Sequence, residues 1–130
     1  MPATCRIQSS IRFKKATRDL GLLLRCSDDF EKSYFIRLEP SRNRLVFDMW
    51  PRPVNETYHQ VELERMVDLA AGTLVTLEVF MDGNMGVVYV NNKVAMNFRA
   101  YNLIEGNWGF FVTDGEARFS ETVLQVLPST

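Results

Sequence analysis

The residues best suited to chemistry lie on two predicted strands that flank one turn. The strands cover residues 34–39 and 44–50, and the turn at 40–43 contains Pro40 and Asn43, which favour turn geometry. Residues directly opposite one another in an antiparallel hairpin share a face. One face is then apolar and belongs in a core. The other, here named the polar face, carries Phe35, Arg37, Glu39, Arg44, Val46, Asp48 and Trp50.

This mixture of side chains suits the recognition of sugars. Guanidinium and carboxylate groups donate or accept hydrogen bonds in pairs, as vicinal hydroxyls require. An indole packs on the apolar C–H face of a sugar ring. The predicted contacts are Arg37, Glu39, Asp48, Trp50 and Arg52, with Arg25 and Arg99 as further contributors. The alternative is a solvated sheet face with incidental ion pairs, on which Trp50 merely covers a sheet edge.

Catalytic chemistry is poorly supported. Glu39 and Asp48 could form the carboxylate pair of a glycosidase. A general acid needs a raised pKa, however, and neighbouring arginines keep carboxylates ionised. His59, the only histidine, falls on the face of Val61 and Leu63 and is predicted to be packed rather than to act as a base. No nucleophile elbow or phosphate-binding glycine loop is present.

The pattern around these residues has a period of two with frequent turns, which predicts strands throughout. The best helical stretch, residues 64–71, is too short to carry a fold. About ten short strands at this spacing indicate an all-β fold of two packed antiparallel sheets. The predicted strands are 4–13, 20–26, 34–39, 44–50, 58–64, 74–81, 87–90, 93–100, 107–113 and 116–126.

Three tight hairpins are predicted in the second half, at Asp82-Gly83, Asn91-Asn92 and Asp114-Gly115. A two-residue turn at Asn91-Asn92 makes an apolar face from Val87, Tyr89, Val94, Met96 and Phe98. It leaves Val88 and Val90, like Phe111, on faces outside the core. A hairpin at Asp114-Gly115 gathers Trp108, Phe110, Val112, Ala117 and Phe119 on one face, so Trp108 is predicted to be core.

The composition limits the classes of partner that the chain is expected to bind. The 130 residues carry 15 Lys+Arg and 16 Asp+Glu, for a net charge of −1, which argues against a nucleic-acid binder. No apolar run approaches the ~20 residues that span a bilayer, so no membrane role is expected. The first ten residues lack the apolar segment of a signal peptide, and the compartment stays unknown.

Cofactors are not expected. Cys5 and Cys26 lie in strand-like segments that could be neighbours, and two buried thiols are favoured over a disulfide. Two cysteines and one histidine cannot make a four-ligand zinc site without carboxylates. A structural calcium ion is left open because acidic stretches such as residues 27–31 exist, but no ligand spacing indicates one.

Three segments, residues 21–52, 80–102 and 106–121, resemble the C-terminal β-sandwich of glycoside hydrolase family 32 proteins, which include levanases, inulinases and invertases. The first half is most similar to carbohydrate-binding module family 66. The resemblance implies a concanavalin-like jelly roll linked to a five-bladed propeller that performs hydrolysis and is missing here. Met85, Gly86 and Asn97 depart from the family pattern.

The length fits a single domain over residues 1–130, and the resemblance implies that this domain is excised from a larger glycoside hydrolase. Its expected function is non-catalytic binding of a fructan or fructose-like residue, with a covalently linked catalytic domain as partner. The runner-up is a structural accessory domain that packs on the propeller through an exposed apolar patch, to which Val88, Val90 and Phe111 would contribute. A third hypothesis is a small enzyme that uses Glu39 and Asp48.

Overall fold

A computed structural model describes residues 1–51 and 63–128 of the chain. Within these residues there are ten strands and one short 3-10 turn, Pro40–Arg42. None of them forms a helix long and apolar enough to cross a membrane. The strands are β1 Thr4–Phe13, β2 Asp19–Cys26, β3 Ser33–Glu39, β4 Arg44–Trp50, β5 Leu63–Met66, β6 Val75–Asp82, β7 Met85–Val90, β8 Val94–Arg99, β9 Asn107–Thr113 and β10 Ala117–Val126.

The strands form two antiparallel sheets that face each other, which confirms the predicted sandwich. Sheet A has the order β10-β1-β6-β7-β8, and sheet B has the order β5-β4-β3-β2-β9. Alternate residues of each central strand point into the space between the sheets, because successive side chains of a strand leave on opposite faces. In β6, for example, Val75, Leu77, Val79 and Met81 are all buried.

The β3–β4 hairpin has the predicted register. Tyr34 lies opposite Met49, Ile36 opposite Phe47 and Leu38 opposite Leu45, all on the core side. The connection is the 3-10 turn followed by Asn43 in the left-handed conformation, with a φ of 47°. The local turn chemistry therefore fixes which side chains of both strands share the outer face.

The prediction for the hairpin at Asn91-Asn92 was wrong by one residue. Val90 pairs with Val94, so the loop contains three residues rather than two. A one-residue shift of register moves every side chain to the other face. Val88 and Val90 consequently lie in the core with no exposed surface, and the predicted outer apolar patch is not formed by them. Val87 and Tyr89 take the outer face instead, half-buried.

The predicted hairpin at Asp114-Gly115 was also wrong. β9 pairs with β2 in sheet B, whereas β10 pairs with β1 in sheet A, so this turn carries the chain from one sheet to the other. Trp108 is nevertheless packed against the core, as predicted. The first of the three turns differs only slightly, since Asp82 pairs with Met85 and the loop is Gly83-Asn84.

Two further predictions concern the cysteines and the fifth strand. Cys5 and Cys26 are buried with free thiols, but they lie on strands of different sheets rather than on neighbours. Of the predicted strand at residues 58–64, only residues 63 and 64 are described, and they begin β5. His59 lies outside the described residues.

Candidate functional site

Arg37 is the centre of the polar face. Its Nε donates to Oε2 of Glu39 at 2.7 Å, and its Nη2 donates to Oδ2 of Asp48 at 3.3 Å. Glu39 is two residues along the same strand, and Asp48 lies on β4, one strand across. One guanidinium therefore bridges two carboxylates from neighbouring strands. The three side chains share one face, as the pairing of opposite residues predicted.

The network extends beyond the residues predicted to bind. Arg44 Nε donates to Oε1 of Glu39 at 2.6 Å, and Arg44 also contacts the carboxylate of Glu64 on β5. The sequence placed Arg44 on the polar face without assigning it a role, and it did not assign Glu64 at all. The pairing of β4 with β5 is the missing information, because it brings Glu64 beside Val46 at the next strand.

The polar face is packed rather than freely solvated. Glu39 and Asp48 expose only 5% and 4% of their surface, and Val46 between them exposes none. Burial alone would raise the pKa of Glu39, but hydrogen bonds from Arg44 and Arg37 outweigh it and hold that pKa below its usual value. Glu39 is therefore an ionised acceptor near neutral pH and is unsuited to act as a general acid.

The neighbouring strand β2 approaches β3 closely at the position opposite Arg37. Gly21 pairs with Arg37, and a Cβ built on Gly21 would lie 2.0 Å from the carbonyl oxygen of Ile36. Real Cβ atoms essentially never come so near, and the φ of 154° at Gly21 is also unusual for other residues. Glycine at this position lets β2 and β3 pair side by side without a steric clash.

Aromatic side chains lie on three strands of the outer face of sheet B, namely β3, β4 and β9. The Trp50 side chain is at the end of β4, beyond Asp48, and Trp50 is 60% exposed. Phe35 contacts Phe111 of β9 edge to face, with ring centroids 5.7 Å apart. Phe111 is outside the core, as predicted. The exposed indole offers a flat apolar surface at the end of β4, and such a surface can pack on a sugar ring.

Arg25 does not join the polar face. The register of β2 is irregular between Leu23 and Cys26, and Arg25 has a φ of 53°. Its side chain turns into the interior, where Nη1 donates to the carbonyl oxygen of Ala100 at 2.5 Å and Nη2 donates to that of Gly83. The fully buried Arg25 therefore ties sheet B to two loops at the end of sheet A.

Of the two remaining predicted contacts, only Arg99 is among the described residues, and it does not lie on the polar face. Arg99 is exposed on β8 of sheet A, where it donates to Oδ1 of Asn84 at 3.2 Å. Arg52 lies outside the described residues. The structure thus brings together Arg37, Glu39 and Asp48, while Trp50 is two residues after Asp48 at the end of β4. Among the described residues, no cluster of three or more His, Cys, Asp or Glu could hold a metal ion.

The fold defines the class of the chain as a concanavalin-like jelly-roll sandwich. No protein-family model and no curated protein matches its sequence. Among solved structures it is similar to the carbohydrate-binding module CBM66 from Bacillus subtilis, with a TM-score of 0.79, 17% identity, and coverage of 94% of this chain and 74% of that one. The predicted likeness to that module is confirmed at the level of the fold.

Two other kinds of protein share the fold. Chicken galectin 2 is similar with a TM-score of 0.63 and 9% identity, over 93% of this chain and 89% of the galectin. The β-fructofuranosidase of Aspergillus kawachii is similar with a TM-score of 0.70 and 15% identity, over 95% of this chain. The chain spans only 24% of that enzyme's length, so the likeness concerns one part of the larger protein.

Proposed function

We propose that this chain is a non-catalytic carbohydrate-binding module that takes a fructan or a fructose-like residue on the polar face. The observation that carries the proposal is the shared guanidinium of Arg37, held at 2.7 and 3.3 Å by two carboxylates next to an exposed indole. Fixed forks of donors and acceptors recognise pairs of hydroxyls, and the indole packs on the ring.

The role of each group follows from its position. Arg37, Glu39 and Asp48 would provide hydrogen-bonding edges to the sugar hydroxyls, while Trp50 would provide the packing surface. The low pKa of Glu39 supports binding rather than proton donation. Fructan is preferred because of the sequence resemblance and of the likeness to CBM66 and a fructofuranosidase. The whole parent protein would then be a glycosidase with a separate catalytic domain.

Calorimetric titration with levan, inulin, sucrose and fructose tests the proposal. We expect saturable heat with at least one of these sugars. The absence of heat with all four at millimolar sugar would exclude fructan binding. Turnover of an aryl glycoside that disappears in Asp48→Asn would instead support the enzyme hypothesis.

A second candidate function is a structural domain that packs against a linked catalytic domain. The observation in its favour is the edge strand β10, on which Val123, Leu124 and Val126 are 47%, 39% and 68% exposed. A contiguous exposed apolar patch can mark a surface that packs against a partner, and Leu124 and Val126 are two residues apart on this strand. Arg37→Ala should leave such packing unchanged but should abolish sugar binding, so this variant separates the two functions.

A further inference from the structure

A cavity of about 460 Å³ lies at the end of the sandwich next to Trp50. This volume is within the range of about 300–1,000 Å³ that small-molecule sites occupy. The cavity, here named the end cavity, is formed where β2, β3 and β4 meet the loop that follows β8. Its wall includes Arg25, Lys32, Tyr34, Trp50, Asn102 and Leu103.

The polar groups of the end cavity are mainly hydrogen-bond donors. Arg25 is fully buried, and its Nε is the one buried side-chain nitrogen or oxygen of the described residues that lacks a hydrogen-bond partner. Lys32 and Asn102 add exposed donors at the opening. No carboxylate is among the described residues of the wall. The cavity therefore suits a ligand that presents oxygen acceptors.

Three aromatic side chains are strongly exposed, and one of them is part of the cavity wall. Phe30, Trp50 and Tyr101 are 65%, 60% and 65% exposed, and no other described aromatic residue is as exposed. Trp50 is part of the wall, whereas Phe30 and Tyr101 only precede the wall residues Lys32 and Asn102 in the chain. Flat apolar rings beside hydroxyl-binding donors are the combination that packs on a sugar ring.

The segments around the opening are held in place. The hydroxyl oxygen of Tyr34 accepts hydrogen bonds from the backbone nitrogens of Tyr101 and Asn102, at 3.0 and 3.1 Å. Phe30 and Leu103 have φ values of 60° and 51°, which bulky residues adopt only when the surroundings impose them. A site formed before binding loses less conformational entropy when its ligand arrives.

The polar face and the end cavity differ in what they offer a ligand. On the polar face each oxygen of Glu39 already accepts from an arginine, and Asp48 accepts from Arg37. In the end cavity the exposed side chains of Lys32 and Asn102 supply donors, while Arg25 is fully buried behind them. Trp50 belongs to both regions, because its side chain follows Asp48 on the outer face and also forms the cavity wall.

We infer that the end cavity is a second sugar subsite, in which Trp50 carries the ring while Lys32 and Asn102 donate to its oxygens. This inference rests on the proposed function, since it extends the path of the same neutral glycan from the polar face around Trp50. Buried Arg25 and the Tyr34 hydroxyl act as positioning groups that keep the loop after β8 beside the indole.

Calorimetry with a fructo-oligosaccharide tests the subsite through exposed residues that are not needed for folding. Lys32→Ala and Asn102→Ala should each weaken binding about fivefold to tenfold, the effect of losing one or two modest hydrogen bonds. The matched controls Lys93→Ala, in the loop before β8, and Asn97→Ala, on β8, remove the same types of exposed side chain and should bind like the unsubstituted chain. Backbone amide shifts on titration should include residues 32, 33, 102 and 103.

The outcomes separate this inference from the function on which it rests. Absence of heat with every fructan would overturn both. Normal affinity in Lys32→Ala and Asn102→Ala, with shifts confined to residues such as Phe35, Arg37 and Val46, would leave the polar face as the binding site and overturn the end cavity alone. Equal losses in the two control variants would also contradict a local contact.

Discussion

The outer faces of the two sheets carry the same types of side chain in different environments. On sheet A, Arg6 pairs with Glu78 at 2.6 Å and lies over the ring of Phe80. On sheet B, Arg37 pairs with Glu39 and Asp48 near Trp50. The side chains of Arg6 and Glu78 are 23% and 19% exposed, whereas those of Glu39 and Asp48 are 6% and 5% exposed. Residue type alone therefore does not distinguish the candidate site. The candidate site is distinguished by its burial and by the sharing of one guanidinium between two carboxylates.

The largest difference is expected when each central arginine is removed. Arg37→Met leaves two buried carboxylates without this partner and should lower the free energy of unfolding by about 3 kcal/mol, because breaking a buried pair strands a charge. Arg6→Met, the matched change on sheet A, should cost less than about 1 kcal/mol. Urea denaturation of both variants measures the contrast. Equal costs would mean that the two faces are energetically alike.

A second substitution alters the strand packing next to the polar face without replacing a polar side chain. Gly21→Ala places a methyl group against the carbonyl of Ile36 and should cost about 1–3 kcal/mol, as overpacking does. Gly109→Ala is the control on β9 of the same sheet, because a Cβ there meets no atom within 4 Å. Thermal melts of the two proteins should differ clearly. A stable Gly21→Ala would show that β3 can move away at little cost.

The register that places Arg37 beside Asp48 could be predicted, since a Pro-containing turn and strict apolar alternation agree across β3 and β4. The register at Asn91 could not be predicted, because the turn residues there favour loops of two and of three residues alike. The chain crosses between sheets at Asp114-Gly115, and a local turn signal does not reveal whether the next strand pairs with the last. Arg25 left the predicted face through a backbone irregularity that no periodic pattern contains.

The pH dependence of stability should distinguish the network around Glu39. Its pKa is lower in the folded chain than its ordinary value of 4.5, so its contribution is present above that pH and is lost as the pH falls through the folded pKa. The stability advantage over Glu39→Gln should therefore shrink as the pH falls from 7 into the acid range. The pKa of Asp19 is raised by burial and by the charge of Glu39, so Glu39→Gln should also lower the pKa of Asp19.

A constant difference between the two unfolding curves across this pH range would contradict the ionised network. The measurement needs only denaturation at several pH values with matched ionic strength. Salt should change the difference little, because buried pairs are screened much less than exposed ones.

The smallest effect on stability is expected for Trp50→Ala. The side chain is mostly exposed, so its removal should change the free energy of unfolding by no more than about 0.5 kcal/mol. Sugar binding should nevertheless weaken more than tenfold, since the variant removes a packing surface shared by the polar face and the end cavity. A large loss of stability would place Trp50 among structural residues instead.

The central claim is tested most directly by titrating one fructan, by calorimetry, into folded Arg37→Lys and Arg6→Lys side by side. Both changes keep the positive charge and remove the planar fork. We expect Arg37→Lys to lose most of its affinity for the fructan, while Arg6→Lys should bind it like the unsubstituted chain. Undiminished binding by Arg37→Lys, with its fold intact by circular dichroism, would contradict a sugar site on the polar face.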